Sequence, residues 1–226
     1  MKKLIKPEKL YRYYPLDPSN KKFMKRILHI LRNHSLFATS PREFNDPFDC
    51  IVKLEMSDQR REKEIQSRVN QHAGVVSFSE NKDHILMWAH YANKHLGVCL
   101  EFDLNRWKDM PVHWDKIDYL MKRPLLTLSQ DEQDSVGILR KMAFAKHKDW
   151  KYEKEWRIIC SFKDPSERYL IFPKEILTGI IFGLKTSHDD RKRILKTVNT
   201  SDFGIKFYKA IENKTQFKVK IIPFDQ

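Results

Sequence analysis

Residues 150–157, Trp-Lys-Tyr-Glu-Lys-Glu-Trp-Arg, run directly into the apolar stretch Ile158, Ile159, Cys160, Ser161 and Phe162. Alternation followed by an apolar run reads as a strand over 153–162. With a period of two, Tyr152, Lys154, Trp156 and Ile158 point one way, and Glu153, Glu155 and Arg157 the other. Two carboxylates and a guanidinium in a row are costly to bury without partners. They either form a self-satisfying ladder on an exposed face or line a cleft, where a carboxylate can orient a hydroxyl or stabilise a developing cation. Trp150, Trp156 and the apolar continuation make this strand central, which favours the cleft.

Further strand patterns fall at 9–14, 36–39, 74–79, 98–102, 167–172, 178–183, 203–210 and 217–223. Helix patterns fall at 57–72, 83–95, 129–148 and 188–199, and from an N-cap at Ser19 to about Asn33 with Phe23, Ile27, Ile30 and Leu31 on one face. Gly97 stands just past the 83–95 helix, where a left-handed residue is favoured. Several strands follow one another directly, so the expected class is α+β, with a mixed, largely antiparallel central sheet and flanking helices. No repeat and no Gly/Ser tract interrupts residues 1–226, which are read as a single domain.

Charge narrows the partners. The net charge is +13, and residues 1–34 hold ten Lys/Arg against two acids. Such a field attracts polyanions, so a nucleotide, a nucleic acid or an acidic protein is the expected partner, against the blander reading of a lysine-rich solvated surface. No stretch approaches the ~20 apolar residues of a membrane span. Cys50, Cys99 and Cys160 are odd in number and widely spaced, as in reduced thiols of a cytoplasmic protein. His90, His95 and Cys99 match no standard zinc spacing, so no metal is expected.

Two more segments carry chemistry-bearing residues. In 42–48, Asn45 and Asp46 precede Pro47 and can hold a turn, with Phe44 and Phe48 stapling it to the core. In 75–102, Ser77 and Ser79 share one strand face, and small hydroxyls there leave room for a ligand. On the helix that follows, Trp88, Tyr91 and His95 form an aromatic and polar surface suited to a flat ring, or else simply pack.

Taken in order, these segments resemble an uncharacterised bacterial family, a domain of unknown function. The shared features are Leu10-Tyr-Arg-Tyr13, Phe-Asn-Asp-Pro-Phe at 44–48, Ser-Phe-Ser at 77–79, Met-Trp-x-His-Tyr-Ala at 87–92, His-x-Gly-Val-Cys-x-Glu-Phe at 95–102 and Trp-x-Tyr-Glu-x-Glu-x-Arg at 150–157. More distantly, the order of an early Arg, a serine motif and a late Glu is similar to the ADP-ribosyltransferase-like fold. That resemblance implies NAD as substrate, Arg12 or Tyr13 bracing its phosphate or ribose, Ser77 and Ser79 fixing the nicotinamide side, and Glu155 or Glu153 as catalytic carboxylate. Tyr11, Asn45, Trp88, His90, Tyr91, His95 and Arg157 complete the implied binding set. The implied activity is glycosyl transfer to nucleic acid or protein by a toxin or anti-phage effector. Its rivals are a non-catalytic nucleotide- or nucleic-acid-binding module and a metal-dependent nuclease using Asp46, Glu101, Glu153 and Glu155.

Overall fold

The structure is a computed structural model that describes residues 7–50, 53–55, 59–109, 113–127, 142–164, 166–198 and 204–225. Along the chain come β1 (Lys9–Tyr14), α1 (Lys21–Asn33), β2 (Ser35–Phe37), β3 (Lys53–Glu55), α2 (Gln59–His72), β4 (Ala73–Ser79), α3 (Ile85–Tyr91) and β5 (Val98–Asp103). Then follow β6 (Trp114–Lys116), β7 (Asp118–Leu120), β8 (Leu125–Thr127), β9 (Ala145–His147), β10 (Glu155–Ser161), β11 (Tyr169–Ile171), β12 (Leu177–Phe182), α4 (His188–Thr197), β13 (Lys206–Glu212) and β14 (Val219–Pro223). The class is α+β with a mixed, largely antiparallel sheet, as the irregular strand order predicts. Among the described residues no helix is long and apolar enough to cross a membrane.

The chain forms two compact units. Unit 1 comprises Met1–Leu36, Phe78–Asp109 and Ile171–Gln226. Its strands run in the order β14-β13-β12-β5-β1, followed by the end of β4, where Tyr11 pairs with Ser79. All six residues of β5 are buried, Glu101 and Asp103 included, as suits a strand paired on both edges. Among its described residues β12 and β13 pair in parallel, and α4 lies in the connection between them. Helix α1 packs on α4, burying Met24, Ile27, Ile30 and Leu31.

Unit 2 comprises Phe37–Ser77 and Met110–Leu170. Strand β10 lies between β4 and antiparallel β6, and two short parallel pairs, β3 with β8 and β7 with β9, complete it. Cys50, Val75, Ile117, Met142, Ala143 and Ile159 are in its apolar core, with Phe44 packed against them.

Several expectations need correction. The α1 N-cap is Asn20, whose side chain accepts from the Lys22 N–H, because Ser19 is engaged with Asp17. Helix α3 stops at Tyr91, and Asn93, Lys94 and His95 turn left-handed one after another. Gly97 is not left-handed. It is needed because a Cβ there would lie 2.0 Å from the Tyr14 carbonyl oxygen. Of the expected 129–148 helix, 129–141 lies outside the described residues. Its end is strand β9, and Lys148–Glu153 forms a 3₁₀ turn. The expected strand at 153–162 therefore begins only at Glu155.

Candidate functional site

Lys154 decides the geometry of the site. Its φ of 44° is left-handed, so the 3₁₀ turn ends there and β10 starts at the next residue. Glu155 and Arg157 then share one face of β10, while Trp156 faces the other way. Glu153, off the strand, is turned back toward the same place by the 3₁₀ turn. Strand β9 brings Lys146 between the two carboxylates, its Nζ 2.5 Å from Glu153 Oε2 and 3.0 Å from Glu155 Oε2. Asp49 Oδ2 is 3.4 Å from the same ammonium.

Arg157 is the other cation, and it is 1% exposed. Its Nε donates to Glu155 Oε1 at 2.6 Å, and its two terminal nitrogens grip both Asp49 oxygens at 2.8 and 2.6 Å. One of them also donates to the Ala143 carbonyl and the Cys50 sulfur. The guanidinium lies over the Phe44 ring at 5.1 Å. Such fork geometry is what only arginine supplies.

Two cations and three carboxylates are thus closed into one buried network. Burial pushes Glu155 toward neutrality, but Arg157 and Lys146 more than offset it and hold its carboxyl well below the usual range. Burial likewise opposes the Lys146 charge, and Glu155, Glu153 and Asp49 reverse the effect. Ser77 also hydrogen-bonds Glu155, and the Glu155 backbone N–H donates to the Tyr119 hydroxyl. The Cys50 thiol, left-handed in backbone and buried, is pushed up to about 12 by desolvation. It is inert as a nucleophile at neutral pH.

Beside this network is a groove of about 370 Å³, whose wall includes Lys146 together with Phe48, Leu120, Met121, Arg123 and His147. Phe48 and Met121 are more than 60% exposed. Phe48 therefore does not staple its turn, whereas Phe44 does. Asp46 shapes the turn by accepting from the Phe48 N–H.

Of the residues singled out in the sequence, Asn45, Ser77, Glu153, Glu155 and Arg157 lie in unit 2. The last four converge and Asn45 is exposed. Tyr11, Arg12, Tyr13, Ser79, Trp88, His90, Tyr91 and His95 lie in unit 1. Trp88 is wholly buried, edge-on to Tyr13, stacked on His95, and donates to the Lys82 carbonyl, so it is a core residue here. Burial, then Lys185, lowers the His95 pKa. His90 is exposed beside Tyr91. Tyr13 donates to the Asn81 carbonyl, Ser79 accepts from the Asn81 N–H, and Arg12 lies over Tyr14. Tyr11 belongs to a second ionic cluster, in which Glu101 accepts from Lys9 Nζ at 2.7 Å, Thr178 at 2.9 Å and Tyr11 at 3.2 Å. Among the described residues no group of three or more His, Cys, Asp or Glu is arranged to hold a metal ion.

Asp49 and Tyr119 are not singled out by the sequence pattern, and Lys146, at the head of the 146–157 run, has no role assigned by it. Asp49 directly follows the Phe-Asn-Asp-Pro-Phe segment, and the need of a buried Arg157 for a carboxylate partner is the signal that points to it. Lys146 was hidden inside a helical pattern.

No curated protein and no solved structure matches the chain. Residues 87–158, which hold the Trp88 segment, Glu101, Lys146 and the Glu155–Arg157 strand, match the model of DUF2971, a protein family of unknown function, which supports the resemblance to an uncharacterised domain-of-unknown-function family.

Proposed function

We propose that the chain binds a nucleotide in the groove of unit 2. The observation that carries this reading is the groove's composition. An exposed Phe48, with the Arg123 guanidinium 4.7 Å over its ring, stands beside Lys122, Lys146 and His147, and no carboxylate is in the wall among the described residues. A flat base can stack on such a platform while phosphates meet Lys122 and Arg123, since Lys146 is already held by its three carboxylates. The groove's volume suits a ligand of that size. Calorimetric titration with AMP, ADP-ribose and NAD tests it. Phe48→Ala or Arg123→Ala is expected to weaken binding by about ten-fold. Equal affinity of both variants and the unaltered chain, or no binding of any nucleotide, refutes it.

A second reading makes NAD the ligand and glycosyl transfer the reaction. It is favoured by the ionised state in which Glu155 is held, because a fixed anion can stabilise an oxocarbenium-like centre. In that step the bond from ribose C1′ to nicotinamide breaks, nicotinamide leaves with the electron pair, and an acceptor nucleophile bonds C1′ and loses its proton. We place it second because the Glu155 oxygens are already saturated by Arg157 and Lys146. Nicotinamide release from labelled NAD, abolished in a folded Glu155→Gln variant, is the expected result. Equal release by the variant sinks this reading and leaves nucleotide binding untouched.

A further inference from the structure

The hairpin joining β13 and β14 presents Phe217 almost entirely to solvent, at 96% exposure. It is held out by a built loop. Asn213 Oδ1 accepts from the Thr215 N–H, the Gln216 N–H and the Thr215 hydroxyl, and the Lys218 N–H donates to the Gln216 carbonyl. Beside the loop is an open groove of about 670 Å³ whose wall includes Lys82, Lys214, Lys218 and Lys220 against Asp83 and Glu212, four cations to two anions. The contact between Lys218 and Asp83 is long, 3.9 Å, and half exposed, so it neutralises little.

We propose that this hairpin and groove bind single-stranded nucleic acid, the backbone following the lysines and one base stacking on Phe217. A solvated aromatic beside a basic groove is the arrangement that recognises splayed bases without reading their sequence. A membrane surface fits less well, because Asn213, Thr215 and Gln216 around Phe217 are polar and give no apolar stripe to insert. The proposal uses residues of unit 1 alone and does not depend on nucleotide binding in unit 2.

Fluorescence anisotropy of labelled oligo(dT) and oligo(U), titrated with the full chain across a salt series, tests it. The logarithm of affinity is expected to fall against log salt with a slope of about −3, from about −0.7 for each of four phosphates neutralised. Phe217→Ala is expected to weaken binding roughly five- to a hundred-fold. Lys214→Glu with Lys220→Glu is expected to flatten the salt slope by about half. All three positions are exposed, and an unchanged melting temperature confirms that the variants fold. No binding by the unaltered chain, or equal binding by the variants, overturns the proposal. So does Phe217-dependent capture of anionic vesicles with no response to the oligonucleotides.

Discussion

Arg157 has almost no freedom left: its guanidinium donates to two carboxylates, a carbonyl and a thiol, over an aromatic ring. Removing one member of a buried ionic network leaves the others charged and desolvated, typically at 3–5 kcal/mol. Lysine keeps the charge but cannot fork. Arg157→Lys is therefore expected to destabilise by about 3 kcal/mol in urea unfolding. A loss below about 1 kcal/mol would mean that solvent or a shifted neighbour replaces the fork. Glu155 sets the pH response. Its folded pKa is depressed, so the stability it contributes is present above the unfolded carboxylate's titration near ~4.3 and is lost as pH falls through the folded value. Denaturation midpoints should be flat from neutrality to about pH 5 and fall below about pH 4. Glu155→Gln should lower the neutral-pH midpoint and reduce that acid slope. A variant with the same acid slope would place the sensitivity elsewhere.

Element boundaries here depend on single backbone conformations. Lys154 ends the 3₁₀ turn in a left-handed geometry that costs a side chain with Cβ about 1 kcal/mol. Glycine there removes that cost, against a loss of unfolded-state restriction of similar size, so Lys154→Gly is expected to change stability by less than about 1 kcal/mol. Gly97→Ala should be far worse, about 3 kcal/mol or more, because its Cβ would collide with the Tyr14 backbone. Thermal melts of the two variants check this, and a tolerated Gly97→Ala would show that the β1 end yields. The same positions show what was legible. The period-two pattern correctly paired Glu155 with Arg157, since strand alternation is local. It wrongly added Tyr152 and Lys154, because nothing about a lysine signals a left-handed break. The helical pattern over 129–148 takes in Ala145–His147, which form a strand instead because pairing with β7 overrides local propensity. Trp88 looked like a stacking surface because spacing along a helix does not reveal what covers it.

Across the molecule, two ionic clusters with equal-looking contacts should differ sharply in worth. In unit 2, Lys146 is 4% exposed and faces Glu153, Glu155 and Asp49. In unit 1, Lys9 is 38% exposed and faces Glu101, which keeps Tyr11 and Thr178 as donors when Lys9 is gone. Solvent screening limits such an exposed pair to about 1 kcal/mol or less. A pocket of about 110 Å³ adjoins Lys9, Tyr11 and Glu101, so this cluster is also less enclosed than the one in unit 2. Lys146→Met is therefore expected to cost about 3–5 kcal/mol and Lys9→Met under about 1 kcal/mol, although each removes one ammonium from a chain of net charge +13. Relieving one positive charge should slightly help folding at both sites alike, so the general self-repulsion cancels from the comparison. Urea unfolding of the two variants in low and high salt decides it. A Lys9→Met loss as large as that of Lys146→Met, insensitive to salt, would mean that the unit 1 cluster is as closed to water as the one around Arg157.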